Sequence, residues 1–192
     1  RSGRFDKKIY FDPPNYKERE QMFRLYLKNI KLDRSLSFRS LSDRTAGMTG
    51  ADIANICNQA KIRSIQHNYE KVYISEEDIQ EAIDEVMIGR EKRERILTKE
   101  EKKRVSYHEA GHAIMGFLLK DASPPIKVSI IPRGSNALGF SQPKPEDRHL
   151  YTDNRILSKI SVLLGGRCAE MLIYDDLSTG AHDDIEKISS LI

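Results

Sequence analysis

Five consecutive residues constrain this chain more than any others. Residues 108–112 read His-Glu-Ala-Gly-His, and an apolar run, AIMGFLL at 113–119, follows directly. On an α-helix, residues four apart stand one above the other on the same face, so His108 and His112 aim their imidazoles at one ion. Glu109 lies one step round the helix. From there its carboxylate reaches a water on that ion without itself ligating. A zinc ion lowers the pKa of such a water strongly. Glu109 is then placed to take the proton and pass it to a leaving amine. Gly111 is expected to leave room for the ion and its water. The apolar run predicts a buried helix, and two histidines and a glutamate on a buried face need partners. A metal supplies them. The competing reading is a pair of ordinary histidines on an amphipathic helix. The chain has only five histidines, and two of them at this spacing around a glutamate favour the metal and the hydrolysis of peptide bonds.

A catalytic zinc site takes three protein ligands and keeps one position open. The helix provides two. No third histidine follows at the short metzincin spacing, which leaves His149, Glu170, His182, Asp183 and Asp184 as candidates. His149 sits in a polar loop and is expected to face solvent. Glu170 ends a helix and suits a partner for a histidine. Asp183 and Asp184 open a helix, where an acid is favourable in any case because of the helix dipole. The residues alone do not choose among them.

The rest of the chain reads as mostly α. A short strand at 7–12 ends at Pro13-Pro14. Asn15 caps a helix to about Ile30, with Met22, Phe23, Tyr26, Leu27 and Ile30 on its apolar face. A short helix is expected at 36–44. Thr49 and Asp52 form a capping box for a helix that buries Ile53, Ile56, Cys57 and Ala60. Ser75 and Asp78 cap another, with Ile79, Ala82, Ile83 and Val86 inward. The run GREKRER at 89–95 reads as a solvated linker. Thr98 and Glu101 box the start of the HEAGH helix. Strands are expected at 127–132 and 137–142. A helix begins at Thr152, and a last one near Ala181 carries Ile185, Ile188 and Ile192 on its core-facing stripe.

The 192 residues suffice for two small domains, and a formal charge of +3 from nearly balanced acids and bases gives no nucleic-acid footprint. Cys57 and Cys168 are too few for a disulfide framework and are expected to be small buried residues in a reducing compartment. No run approaches the ~20 apolar residues of a membrane span. The chain begins and ends without natural punctuation and reads as part of something longer.

These motifs resemble the FtsH family of membrane-anchored AAA+ zinc proteases over essentially the whole length. The match is carried by YHEAGHA at 107–113, KVSIIPRG at 127–134, LGF at 138–140, GGRCAE at 165–170 and STGAHDDI at 178–185. Upstream, RSGRFD at 1–6 and GMTGADIANICNQA at 47–60 resemble the end of an AAA+ core and its helical lid. The LYT at 150–152 and TGAHDD are most similar to the mitochondrial, matrix-facing branch. The resemblance implies four segments: the end of the AAA+ core at 1–14, the lid at 15–88, a linker at 89–98, and a zinc-protease domain with a small sheet at 99–192.

The resemblance also implies roles. Asp184, two residues beyond the TGA turn, becomes the third zinc ligand beside His108 and His112, with Glu109 as the catalytic base. The isoleucine stripe is expected to put Asp184 on Ile188's side and Asp183 towards solvent. Arg1 and Arg4 match arginines that reach a neighbouring subunit's nucleotide in a hexamer. Gly50 and Ala51 match the lid turn that approaches adenine. Zn²⁺ is the implied cofactor, with ATP and Mg²⁺ in the full-length protein only. The implied setting is the matrix side of the mitochondrial inner membrane, with bacterial or plastid membranes as alternatives. Unfolded polypeptides are the implied substrates, and the strand at 128–131 is the candidate edge for pairing with them, an ordinary core strand being the competing reading.

Ser2, Lys61 and Met171 depart from the family pattern, and no GxxxxGK[ST] loop occurs, so these residues alone are not expected to bind ATP tightly. Two other readings are an inactive assembly module and a HExxH hydrolase unrelated to AAA+ proteins. The intact HEAGH argues against the first, the lid-like half against the second.

Overall fold

A computed structural model describes residues 10–67, 73–92, 94, 96–134, 137–147 and 150–192. The fold is mostly α, as the sequence predicts, and divides into two compact units, residues 1–82 and 83–192. The division falls inside one helix.

In the first unit, α1 (Tyr16–Tyr26) opens on a capping box: Asn15 Oδ1 accepts from the Glu18 amide, and the Glu18 carboxylate accepts from the Asn15 amide. The helix ends at Tyr26, short of the expected Ile30. The chain turns through Asn29 at φ 67° and enters β1 (Lys31–Leu32). This two-residue strand pairs in parallel with β2 (Tyr73–Ile74). Neither strand is foreseeable from so short a run. After α2 (Phe38–Arg44), Thr49 and Asp52 cap α3 (Gly50–His67) reciprocally. Ile53, Ile56, Cys57 and Ala60 are all buried along one face of α3. Phe23 and Leu27 join them, and α1 packs against both α2 and α3. Ser75 and Asp78 cap α4 (Glu76–Ile88) as expected, with Ile79 and Ala82 fully buried. Of the strand expected at 7–12, residues 10–12 are not extended into a sheet. The remainder lies outside the described residues.

In the second unit, the segment expected to be a solvated linker is partly tied down. Glu91 bridges Arg133, and the Gly134 amide donates to the Arg90 carbonyl. Gly89, at φ 106°, lies so close to Gly134 that a Cβ would come within 2.7 Å of the Gly134 Cα. That approach explains glycine at both positions. Thr98 and Glu101 box the start of α5 (Lys99–Leu118). The hairpin follows as β3 (Pro125–Ser129) and β4 (Phe140–Pro143). It is antiparallel, with Ser129 opposite Phe140 and a bulge near Pro125. Each strand is shorter than expected and displaced from the expected bounds, because residues 130–134 and 137–139 turn rather than extend. Asp84 forms an ion pair with Lys127 of β3 and lies 3.9 Å from Arg133. Thr152 precedes α6 (Asp153–Tyr174) at the N-cap position without a side-chain capping bond, and α6 is the partner against which α5 packs most extensively. A 3₁₀ turn, Thr179–Ala181, leads into α7 (His182–Ser189).

Three expectations about burial fail. The apolar run after HEAGH is not buried throughout: Phe117 is 70% and Leu118 74% exposed. Hydrophobic identity marks what a helix can bury, and here α6 covers the face that carries the histidines. The stripe on α7 is not core-facing either, since Ile185 is 43% and Ile192 95% exposed. Ile192 lies beyond the end of the helix, and Asp184 occupies the inward position. Cys57 is buried, whereas Cys168 is exposed on the outer side of α6.

Candidate metal centre

His108 and His112 stand on successive turns of α5, both buried, with ring centroids 4.7 Å apart. Glycines let α6 approach them. A Cβ on Gly111 would lie 2.2 Å from the Gly165 carbonyl oxygen, and one on Gly166 would lie 2.6 Å from His108 Nε2. The helices therefore meet backbone to backbone, and the His108 ring lies against Gly166. Contrary to the expectation from sequence, Gly111 does not leave space for an ion; α6 fills that space.

This contact fixes both rings. His112 Nδ1 lies 2.8 Å from the Val162 carbonyl of α6. A carbonyl only accepts, so Nδ1 carries the proton. His108 Nδ1 lies 2.7 Å from Glu170 Oε1. Burial pushes the Glu170 carboxyl up, but hydrogen bonds from Ser178, His108 and Arg104 prevail and hold it below its ordinary range. It is an acceptor too. In the neutral rings both Nε2 atoms are then bare lone pairs, and both face Asp184 Oδ2 at 3.2 Å.

Asp184 comes from the first turn of α7 and is buried, while its neighbour Asp183 is exposed. Burial raises the Asp184 carboxyl, yet its contacts with His108 and His112 outweigh burial and keep it well below the usual range. His108 shows the matching shift. Burial lowers it, and Asp184, Glu170 and Glu109 raise it by more. One donor atom from each of His108, His112 and Asp184 lies within 4.8 Å of the others. Two imidazole nitrogens and a carboxylate oxygen are a donor set for a divalent cation of zinc's type. Three electron-rich atoms converging in a buried space fit that group; without a cation or extra protons they repel.

Glu109 is buried beside this cluster. Its carboxyl is pushed up to about 7, chiefly by burial, with the His112 and His108 charges pulling the other way. Its Oε2 has no hydrogen-bond partner among the described residues, which is costly for a structural glutamate and suits one that receives a proton. Gly139, just before β4, leaves room for it; a Cβ there would lie 2.8 Å from Glu109 Oε1.

Of the other sequence candidates, Glu170 orients His108 rather than joining the cluster. His182 is exposed and pairs with Glu186 at 3.3 Å. His149, Arg1 and Arg4 lie outside the described residues. Gly50 and Ala51 are the first two residues of α3, remote in sequence from this site. Sequence reasoning missed the Val162 carbonyl, Ser178 and Arg104. Gly165-Gly166 was a usable signal: two glycines inside an apolar helix cost roughly 1 kcal/mol each unless close packing requires them.

A helical fold with this donor set defines a candidate site for a divalent cation. Comparison with known proteins gives the family. Residues 95–192 match the family model described as Peptidase family M41, and residues 35–81 match that of the AAA+ lid domain. The chain belongs to peptidase family M41. It is 42% identical over 191 residues to the ATP-dependent zinc metalloprotease FtsH of Rhodothermus marinus, covering 100% of this chain and 27% of that protein. It is 43% identical over 197 residues to the mitochondrial inner membrane m-AAA protease component YTA10 of Saccharomyces cerevisiae, covering 100% of this chain and 26% of that protein. With the component AFG3L1 of Mus musculus it shares 44% over 193 residues, 98% of this chain and 24% of that protein. The chain spans about a quarter of the length of these relatives. Among the described residues, no helix is long and apolar enough to cross a membrane.

Proposed function

We propose that this chain is the lid and the first part of the protease domain of an ATP-dependent zinc metalloendopeptidase acting on misfolded or membrane-associated proteins. In this reading His108, His112 and Asp184 hold the zinc. The observation that carries it is the pair of Nδ1 hydrogen bonds, to Glu170 and to the Val162 carbonyl. They turn both Nε2 lone pairs onto the Asp184 carboxylate.

Zinc, when bound, supplies a Lewis acid that activates water and polarises the scissile carbonyl. Glu109 accepts the proton from the attacking water and delivers it to the leaving amine. Its buried position beside the histidines, with Oε2 unpartnered among the described residues, suits it to both transfers. Substrate arrives extended and pairs with the edge of β3 that β4 does not occupy; Val128, 45% exposed, lies on that strand.

The segments at 1–14, 15–88, 89–98 and 99–192 serve as the end of an AAA+ core, lid, linker and protease. Arg1, Arg4, Gly50 and Ala51 contact nucleotide only in the full-length hexamer, where ATP and Mg²⁺ bind. The names of the yeast and mouse relatives support a mitochondrial inner-membrane protease, of homo- or hetero-oligomeric make-up. The Rhodothermus relative keeps a bacterial setting open.

The test is Glu109→Gln in the full-length protein. It retains one zinc per chain by elemental analysis and loses peptidase activity by about 10²–10⁴-fold, the usual contribution of a general base. Undiminished activity would remove Glu109 from the chemistry, and absence of zinc from the wild type would remove the metal.

A further inference from the structure

Asp184 reaches the histidines from a helix with few anchors of its own. α7 is eight residues long. Asp184 is its buried residue, and Ile185 beside it is 43% exposed. An apolar stripe therefore does not set the position of this carboxylate. The turn before the helix does.

Ser178 begins that turn. Its Oγ accepts from the Gly180 amide at 3.2 Å and donates to Glu170 Oε1 at 3.0 Å, and its own amide donates to Glu170 Oε2 at 3.0 Å. Glu170 Oε1 also accepts from His108 Nδ1 at 2.7 Å, and Oε2 from Arg104 at 3.2 Å. This fully buried carboxylate is thus saturated by four donors, two of them from Ser178. The connections close a ring. His108 binds Glu170, Glu170 holds Ser178, Ser178 shapes the turn, the turn launches α7, and Asp184 of α7 returns to His108 Nε2.

We propose that Ser178 is a positioning residue for the metal centre: it ties the start of α7 to the carboxylate that orients His108, so that Asp184 is in register with both histidines before an ion arrives. The proposal rests on the zinc reading above. Ser178 touches neither ion nor substrate. It acts through Asp184, and partners of this kind change metal affinity by about 10–100-fold when lost.

The experiment measures zinc affinity of the intact chain by competition with chromophoric chelators of graded strength, alongside the melting temperature of each metal-free variant. Ser178→Ala weakens zinc binding about tenfold or more, and Ser178→Thr, which keeps the hydroxyl, recovers most of it. In an Asp184→Asn background, Ser178→Ala adds little, because the residue it positions no longer ligates. Wild-type affinity in Ser178→Ala overturns the proposal while leaving the zinc site intact. An equal loss in both backgrounds also overturns it, since the effect then runs through His108 or through stability alone. A wild-type chain that binds no zinc overturns the zinc reading, and the proposal with it.

Discussion

In residues 1–82 the buried side chains are mostly apolar, among them Phe23, Ile53, Ile56, Ile74 and Ile79, with Arg19, Ser42 and Thr45 beside them; in residues 83–192 they are mostly polar, among them Asp84, His108, Glu109, His112, Arg133, Gln142, Glu170 and Asp184, with Ile83, Leu97, Phe140 and Ala181 beside them. Both units leave large apolar side chains exposed, Phe11 and Leu25 in the first and Phe117, Leu118 and Leu172 in the second. The first unit is held chiefly by removing apolar surface from water, a non-directional force that tolerates small displacements, with the buried Arg19 guanidinium donating to the Ser42 and Pro14 carbonyls. The interior of the second rests on contacts that work only at one geometry: glycine backbones in van der Waals contact, the saturated Glu170 carboxylate, and a cluster of donor atoms that fits a cation. Burying charge in this way is costly unless every partner is present. Its return is chemical, a carboxyl at about 7 beside two fixed imidazoles.

The largest effect that separates the units is predicted for Phe23→Ala. Truncating a fully buried phenylalanine costs about 3–5 kcal/mol, which a denaturant titration of the first unit reads as a lowered midpoint. Zinc affinity, whose donors all lie at 108–184, is expected to stay at the wild-type value. A parallel fall in zinc affinity would mean that the two interiors are not held independently, and the contrast would lapse.

Metal removal gives the next effect, in the opposite unit. With free zinc a hundredfold above its dissociation constant, binding stabilises the native state by about 2.7 kcal/mol. A chelator should therefore lower the protection of α5, α6 and α7 amides against hydrogen exchange and leave those of α1 and α3 unchanged. Loss of protection spread evenly over both units would contradict the assignment of cation dependence to residues 83–192.

The same contrast explains what could be read without coordinates. Local signals survived intact. Asn15, Thr49 with Asp52, Ser75 with Asp78 and Thr98 with Glu101 all cap the helices they foretold, because capping is decided within four residues. The i,i+4 spacing of His108 and His112 was equally local. What failed was the choice of face in the second unit. Ile185, Ile188 and Ile192 have helical spacing, but spacing does not say which side a helix turns inward when a carboxylate competes for that side. Asp184 was reached by resemblance to a family, and the isoleucine argument offered beside it was mistaken for Ile185 and Ile192. The Val162 carbonyl was invisible, since every residue has one. The two-residue strands β1 and β2 were too short to leave a pattern.

The smallest effect compares one residue type on two helices. Cys57 lies on the inner face of α3, 1% exposed, and burial pushes its thiol up to about 12, with Lys61 offsetting only part of the rise. The thiolate is the nucleophile, so a raised pKa and lack of access both silence it. Cys168 lies exposed on α6, on the helix that meets α5 through Gly165 and Gly166. Iodoacetamide at mildly alkaline pH should therefore add one group per native chain, located at Cys168 by peptide mass mapping. Cys57 should react only when denaturant opens the first unit. Because Cys168 makes none of the contacts that orient His108 or His112, the modified chain should bind zinc as the unmodified one does. Native-state labelling of Cys57 at a rate comparable to Cys168 would show that the apolar interior of the first unit opens readily. Reduced zinc affinity after labelling Cys168 would show that the outer side of α6 is coupled to its glycine contact. That would extend the geometric sensitivity of the second unit from the site to the whole helix.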